Sequence, residues 1–392
     1  MKKTRQFFAG RRGQWTKLKN AFPRGSSRDI LWIHCASLGE FEQGRPVMEA
    51  LRVQYPGSGI LLTFFSPSGY EVRKNYKGAD YVFYLPLDSP WNAARFLNVV
   101  KPAAALFVKY EYWYFYLTAL RRRHIPTYLF SAIFRPQQPF FKWYGMFHRQ
   151  MLTCYTRIFV QDNSSADLLQ KNIKLPLPVT VAGDTRFDRV VAITKGDNTP
   201  AWIIERMATP LLVAGSTWPE DEDMLARLLE EIPHFQLILA PHEIHAAHLT
   251  GISARFEKWN PEFYSAPQKG SCSRVLVIDC MGLLSSLYRH ATLCYIGGGF
   301  NPSGIHNTLE AAVHGKPVLF GPNYKKFREA AELTEIGAAR SYTEYAGLLS
   351  HFRNWLDNPE SMQDSGKKAA AYVRSRTGAT SIILETLADR VR

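Results

Sequence analysis

From Ile30 onward, short apolar runs alternate along the chain with stretches of helical period. The runs LWIHC (31–35), ILLTFF (60–65), YVFYLPL (81–87), AALFVK (104–109), TYLF (127–130), RIFV (157–160) and VTVAG (179–183) are short and nearly uninterrupted, the pattern of strands covered on both faces. Between them lie helical stretches such as 42–55, with Val47 and Leu51 at i, i+4, and 91–99. Strand, helix, strand in this rhythm predicts a doubly wound parallel sheet. After a polar break at 195–200 (KGDNTP) the rhythm restarts with LLVAG (211–215), a helix over 221–231, FQLILA (235–240), RVLVID (274–279), LCYIGG (293–298) and PVLFG (317–321). Two Rossmann-like α/β domains follow, 1–196 and 197–392, with the last helix a candidate to pack back on the first. A ligand is expected in a cleft near the carboxyl ends of the strands.

Composition narrows the class without choosing a function. With 46% hydrophobic and 21% charged residues among 392, disorder, collagen and coiled coil are excluded. An excess of 48 Lys and Arg over 34 Asp and Glu leaves +14, which favours anionic partners. Five cysteines without a CxxC pair argue against a disulfide framework or structural zinc and for a reducing compartment. No apolar run approaches the roughly 18 residues of a spanning helix, and no apolar core follows the basic start to make a signal peptide. The first 19 residues do mix Arg5, Arg11, Arg12 and Lys17 with Phe7, Phe8 and Trp15. Such a segment suits an anionic membrane surface, the alternative being a solvated terminal helix.

Four constellations could carry chemistry. Ser37-Leu38-Gly39-Glu40 follows the first strand, so Glu40 is either a general base at a strand's carboxyl end or the third residue of a capping box begun by Ser37. Asp184-Thr185-Arg186 offers a cation suited to phosphate, or a surface turn. Gly215-Ser216-Thr217 before an acidic helix start offers backbone N–H groups and two hydroxyls as an anion seat, without the Gly-Lys-[Ser/Thr] ending of a P-loop. His242, His245 and His248 miss the zincin spacing by one residue, leaving His242 as a loop histidine near a ligand. Most specific is IGGGFNPSGIHNTLEAAVHGKPVLFGP (296–322). Its glycines permit close backbone approach, a helix is expected from about Ile305, and Asn307 and Glu310 fall on one face, where Glu310 could hold both ribose hydroxyls. Pro302 stands where a dinucleotide fingerprint needs its last glycine, so a nucleotide-sugar site is favoured.

In order, these motifs resemble the 3-deoxy-D-manno-octulosonic acid (Kdo) transferase family over nearly the whole chain. WIHCASLGE is similar to its Ser-x-Gly-Glu turn, VAGDTRFD to its Gly-Asn-x-Lys-Phe-Asp, AGSTWPEDE to its Gly-Ser-Thr-x-x-x-Glu-Glu, and DCMGLLSSLY to its Asp-x-Met-Gly-x-Leu. The resemblance implies a GT-B fold with two domains facing a cleft, inverting transfer of Kdo from CMP-Kdo to the lipid A precursor (lipid IVA) in lipopolysaccharide synthesis, and no metal or cofactor. It implies Glu40 as catalytic base, with Ser37 and Gly39 on the acceptor side. Arg186, Gly215, Ser216, Thr217, His242, Met281, Gly282, Asn307 and Glu310 would form the donor site. Arg186 stands for the family's usual Lys, PHEIH (241–245) for its Pro-Arg-His-Pro-Glu, and its N-terminal membrane anchor has no counterpart here. A peripheral enzyme at the cytoplasmic face of the bacterial inner membrane is the expectation, contacting an anionic surface through Arg5, Arg11, Arg12 and Lys17 and no nucleic acid. The competing enzyme class is another GT-B sugar-nucleotide enzyme, a UDP-sugar glycosyltransferase or 2-epimerase.

Overall fold

The computed structural model describes residues 7–23, 28–173, 176–206, 210–267 and 273–388. Arg5 therefore lies outside the described residues. Two compact units form: the first comprises the chain up to Arg189 and from Arg376 onward, the second Val190–Ser375. The sequence set a boundary at 196, whereas the polar 195–200 break lies inside the second unit.

In the first unit, seven strands make one sheet in the order β3-β2-β1-β4-β5-β6-β7. They are β1 (Ile30–Cys35), β2 (Gly59–Phe64), β3 (Tyr81–Tyr84), β4 (Pro102–Val108), β5 (Thr127–Ala132), β6 (Arg157–Val160) and β7 (Val179–Val181). All pairings are parallel. Alternate side chains of β1 enter opposite cores: Ile30 and Trp32 on one face, Leu31, Ile33 and Cys35 on the other. That is why these runs read as uninterruptedly apolar. The helix Leu38–Gln54 lays Phe41, Val47, Met48 and Leu51 into the second core, where Ile383 and Leu387 of the chain's last helix, Ala379–Ala388, join it. Burying each such side chain contributes roughly 1.5–3 kcal/mol. Asp188 also accepts from Gly378 N, Thr380 N and Thr380 Oγ1, each at 2.7 Å, and so caps that helix.

The second unit repeats the plan with order β10-β11-β9-β8-β12-β13-β14. Its strands are β8 (Leu211–Thr217), β9 (Gln236–Pro241), β10 (Glu262–Phe263), β11 (Val275–Val277), β12 (Leu293–Ile296), β13 (Val318–Phe320) and β14 (Ala339–Ser341), again all parallel. Placing β1 and β8 beside strands that wind outward both ways leaves a topological switch point next to each, where α/β sheets bind ligands. The short edge strands β10 and β14 carry no apolar run of their own and were not anticipated.

Candidate functional site

At the carboxyl end of sheet 1, β1 passes through Ala36 into Ser37, whose extended backbone starts the helix Leu38–Gln54. The Ser37 hydroxyl donates to Glu40 Oε2 and makes no capping bond to a backbone N–H, so the capping-box alternative does not form. Glu40 is half-buried, with one carboxylate oxygen oriented by Ser37, while Gly39 is exposed. Glu40, Arg135 and Arg186 all act electrostatically on Tyr110, whose phenol is raised first by burial. Carboxylate, phenol and two guanidinium groups thus gather past the ends of β1, β4, β5 and β7.

Arg186 is fixed by its own strand-to-helix turn. Its Nε lies 2.8 Å from Oδ2 of buried Asp184, and its backbone N–H donates to Asp184 Oδ1 at 2.9 Å. Burial alone would raise Asp184, but Arg186 and a hydrogen bond from Gln43 outweigh it and hold the carboxyl below its ordinary value. Thr185 Oγ1 donates to Gln43 O at 2.6 Å, tying this turn to the helix that carries Glu40. Arg186 belongs to the same unit as Glu40.

Beneath this rim runs a buried polar chain that the sequence did not reveal. Trp32 Nε1 donates to Thr63 Oγ1 at 2.8 Å, His34 Nδ1 lies 2.8 Å from the same oxygen, and His34 Nε2 stands 3.2 Å from Glu111 Oε2. Trp113 Nε1 donates to Glu111 as well. Burial is uneven along the aromatic stretch 110–116: Tyr116 is fully buried, Tyr110 is 37% exposed, and Glu111 is a buried acid.

Arg11 corrects the reading of the N-terminal segment. Its guanidinium packs over Phe7, at 3.7 Å from the ring centroid, and Tyr84, at 4.6 Å, and donates to Phe65 O at 2.8 Å. Burial pushes it down to about 10. Arg11 thus fastens the segment to the sheet and cannot face a lipid, whereas Arg12 and Lys17 are exposed. A second exposed group lies elsewhere in this unit: Trp143, 92% exposed, with Tyr144, Met146 and Phe147.

At the carboxyl end of sheet 2 the arrangement is different in kind. Gly215 is obligatory: a Cβ there would lie 2.0 Å from Tyr288 Oη. Ser216 follows with φ 55°, a bulge that turns the chain. Strand β8 runs on to Thr217, whose buried hydroxyl donates to Glu222 at 3.1 Å, so Thr217 offers no anion seat. Glu222 itself receives His248 Nε2 at 3.0 Å and Arg255 at 3.2 Å. Among the described residues no group of three or more His, Cys, Asp or Glu gathers as metal ligands would.

The glycine-rich loop after β12 is clamped from below. Buried Asp221 accepts from Gly298 N at 2.9 Å, Trp218 N at 2.9 Å and Tyr295 Oη at 2.7 Å. A Cβ on Gly297 would come within 2.3 Å of Ser216 O. Over the loop stand three rings: His242 stacks on His306 at 4.3 Å and on Trp218 at 5.0 Å, while Trp218 Nε1 donates to His306 Nε2 at 3.4 Å. Burial, and then His242, pushes His306 down to about 4, so it is neutral near pH 7. Desolvation lowers His242 too, though its outer edge stays exposed. His306 was passed over in the sequence because nothing in IHN marks the middle residue as the one that stacks.

The helix expected from Ile305 begins only at Leu309 and spans Leu309–Ala312. Residues 304–306 form part of the loop instead: Gly304 has φ 78°, and the N–H groups of Ile305 and His306 donate to Asn323 O and Gly297 O. Asn307 instead accepts from Leu309 N at 3.1 Å and donates to Glu310 Oε1 at 3.0 Å, orienting that carboxylate. Glu310 acts electrostatically on Tyr288, the ring that covers Gly215. Met281 is 80% exposed, and Gly282, with φ 95°, lies two residues before Leu284, which also packs at Gly215. Gly215, Ser216, His242, Gly282, Asn307 and Glu310 are thus brought to one sheet edge, while Ser37, Gly39, Glu40 and Arg186 occupy the corresponding edge of the other unit.

Two tandem seven-stranded parallel sheets with their side-chain clusters at the carboxyl ends define a GT-B glycosyltransferase fold. Solved structures share it: UDP-GlcNAc 2-epimerase from Neisseria meningitidis bound to UDP-GlcNAc has a TM-score of 0.62 at 17% identity, covering 92% of this chain and 100% of that one. MurG from Acinetobacter baumannii has 0.55 at 14%, covering 92% and 99%. Residues 8–189 match the family model for 3-deoxy-D-manno-octulosonic-acid transferase (kdotransferase). The 3-deoxy-D-manno-octulosonic acid transferase of Haemophilus influenzae is 25% identical over 98% of this chain and 91% of its own length; that of Aquifex aeolicus is 26% identical over 82% and 85%. Residues 8–189 thus carry the Kdo transferase family's domain, and the chain is a glycosyltransferase similar to these enzymes along most of its length.

Proposed function

We propose that the chain transfers Kdo from CMP-Kdo to the lipid A precursor, with inversion and without a metal ion. The observation that carries this reading is Glu40, half-buried at the end of β1 with one oxygen held by Ser37 and two guanidinium groups nearby. Glu40 removes the proton from the acceptor hydroxyl as its oxygen attacks the anomeric carbon of Kdo. The bond to the phosphate oxygen breaks, and CMP leaves. A departing monophosphate carries less charge than a diphosphate, so in this reading Arg186 suffices to offset it. Asn307 and Glu310 hold the ribose, the Trp218–His242–His306 stack bounds the nucleotide site, and Met281 and Gly282 border it.

The acceptor places the enzyme at the cytoplasmic face of the inner membrane in this reading. No helix among the described residues is long and apolar enough to cross a membrane. Arg12 and Lys17, with exposed Phe8, and the Trp143–Phe147 group are the candidate contacts with the anionic surface. The test is incubation with CMP-Kdo generated in situ and tetraacylated lipid A precursor, with products resolved by mass, beside a titration of CMP against UDP. A product bearing Kdo and preference for CMP are expected; UDP preference without Kdo transfer would favour another sugar-nucleotide enzyme.

A further inference from the structure

At the opposite, amino-terminal end of sheet 2 lies a cavity of about 460 Å³. Arg289 precedes β12 and Gly315 precedes β13, so the cavity is at the far end of these strands from the glycine-rich loop and Ser216. Its wall includes four basic side chains, Arg289, His314, Lys367 and Arg374, together with Gln363 and Thr194, and no carboxylate.

The packing explains how these charges come together. Gly366 in the helix Pro359–Arg374 meets the turn after Leu309–Ala312 at Gly315, where a Cβ on residue 366 would lie 2.2 Å from Gly315 O. That close approach carries Gln363, Lys367, Ala370 and Arg374, spaced 4, 3 and 4 along one helix face, across His314. Arg289 is held in place by donating to Thr194 O and to Gly196 O at 2.9 Å. The nearest acid, Asp197, stands 3.7 Å from Arg289 but is engaged by His290 at 3.0 Å and by Thr199 N at 2.9 Å, and it does not line the cavity. Burial first, and then the like charges of Arg289 and Lys316, lower His314 below its ordinary value, so the positive charge of the wall comes from Arg289, Lys367 and Arg374. A cavity of small-molecule size with cations converging and no acid in its wall is built for a multiply charged anion.

We propose that this cavity binds a soluble phosphorylated ligand carrying two or more negative charges, at a site separate from the sugar-nucleotide edge of the same sheet. A soluble ligand is favoured over a lipid headgroup because, among the described residues, none of the large exposed apolar side chains lines the cavity. This inference concerns the other end of the sheet and does not depend on which nucleotide sugar the enzyme uses.

Pyrophosphate is the probe, titrated calorimetrically into the full chain with and without saturating CMP. Lys367 is exposed on its helix, so Lys367→Glu and Lys367→Gln leave the core untouched. Charge reversal at an exposed pair is expected to weaken pyrophosphate about 10-fold and neutralisation by less, with CMP making no difference. The same reversal at Lys77, outside the cavity, should change nothing. Competition by CMP, equal binding by the Lys367 variants and parent, or an equal loss at Lys77 would each overturn the proposal. Vesicles containing phosphatidic acid form the last arm: Lys367→Glu should sediment with them as the parent does, and a loss seen only there would assign the cavity to a lipid headgroup and refute a soluble ligand.

Discussion

The two sheets share strand order and direction, yet their carboxyl ends are furnished in opposite ways. Sheet 1 ends in acidic and basic side chains: Glu40 with Arg135 and Arg186 around Tyr110, and Asp184 held as a carboxylate by Arg186, with the His34–Glu111 contact beneath. Sheet 2 ends in backbone and neutral rings beside one oriented carboxylate, Glu310: glycines at 297–299, a bulge at Ser216, and a stack in which His306 is kept unprotonated. The difference teaches how one topology can divide labour. Acidic and basic side chains at a half-buried edge suit proton transfer, whereas a glycine turn that admits close approach and flat ring faces suit a nucleotide that must bind and leave.

The comparison can be broken most forcefully at Glu40. Glu40→Gln should lower the rate of Kdo transfer by roughly 10²- to 10⁴-fold, read from product formation at saturating substrates; retention of more than about a tenth of the activity would move the base elsewhere. On the other sheet, Glu310→Ala should weaken CMP by roughly 10- to 150-fold, since hydrogen bonds to a charged group are worth about 1.5–3 kcal/mol. Nucleotide affinity that stays constant would place the ribose away from Glu310.

Arg11 and Arg12 sharpen the contrast between a cation used for structure and one left for a surface. Arg11→Ala removes a ring-packed cation and its bond to Phe65 O, and should cost about 2 kcal/mol in chemical denaturation. Arg12→Ala should stay within about 0.5 kcal/mol of the parent. His306 supplies a pH signature for the neutral edge. Its folded-state value is below its unfolded one, so the unfolded chain takes up the proton first, and stability should fall as pH drops from about 6.5 to about 4. His306→Asn should flatten that part of the melting-temperature profile. The smallest effect is expected from Arg12 and Lys17 neutralised together, as a modest loss of sedimentation with anionic liposomes at low salt.

Much of this is legible in the sequence, for a physical reason. Strands covered on both faces must be apolar throughout, so the long central runs announced themselves, whereas β10 and β14, at two and three residues, left no pattern to read. The candidate positions Ser37–Glu40 and Ser216 lie where β1 and β8 end, and Asn307–Glu310 close the glycine-rich loop after β12, places that the order of runs and turns reveals. What stayed hidden depends on partners distant in sequence. The Thr217 hydroxyl is given to Glu222, Arg11 is taken up by Phe65 and Tyr84, and residues 305 and 306 are bonded into the loop through Asn323 and Gly297, ahead of the Glu310 helix. Glu111 was obscured by its aromatic neighbours, whose composition suggests core and conceals the His34 pair.

The division of labour between the two edges is tested most directly by titrating CMP into Glu40→Gln under the conditions used for Glu310→Ala. The account predicts CMP affinity within about twofold of the parent for Glu40→Gln despite its loss of transfer, because the carboxylate acts on the acceptor and not on the nucleotide. A fall in CMP affinity as large as that of Glu310→Ala, in a variant that melts like the parent, would show that Glu40 belongs to the donor site and contradict the account.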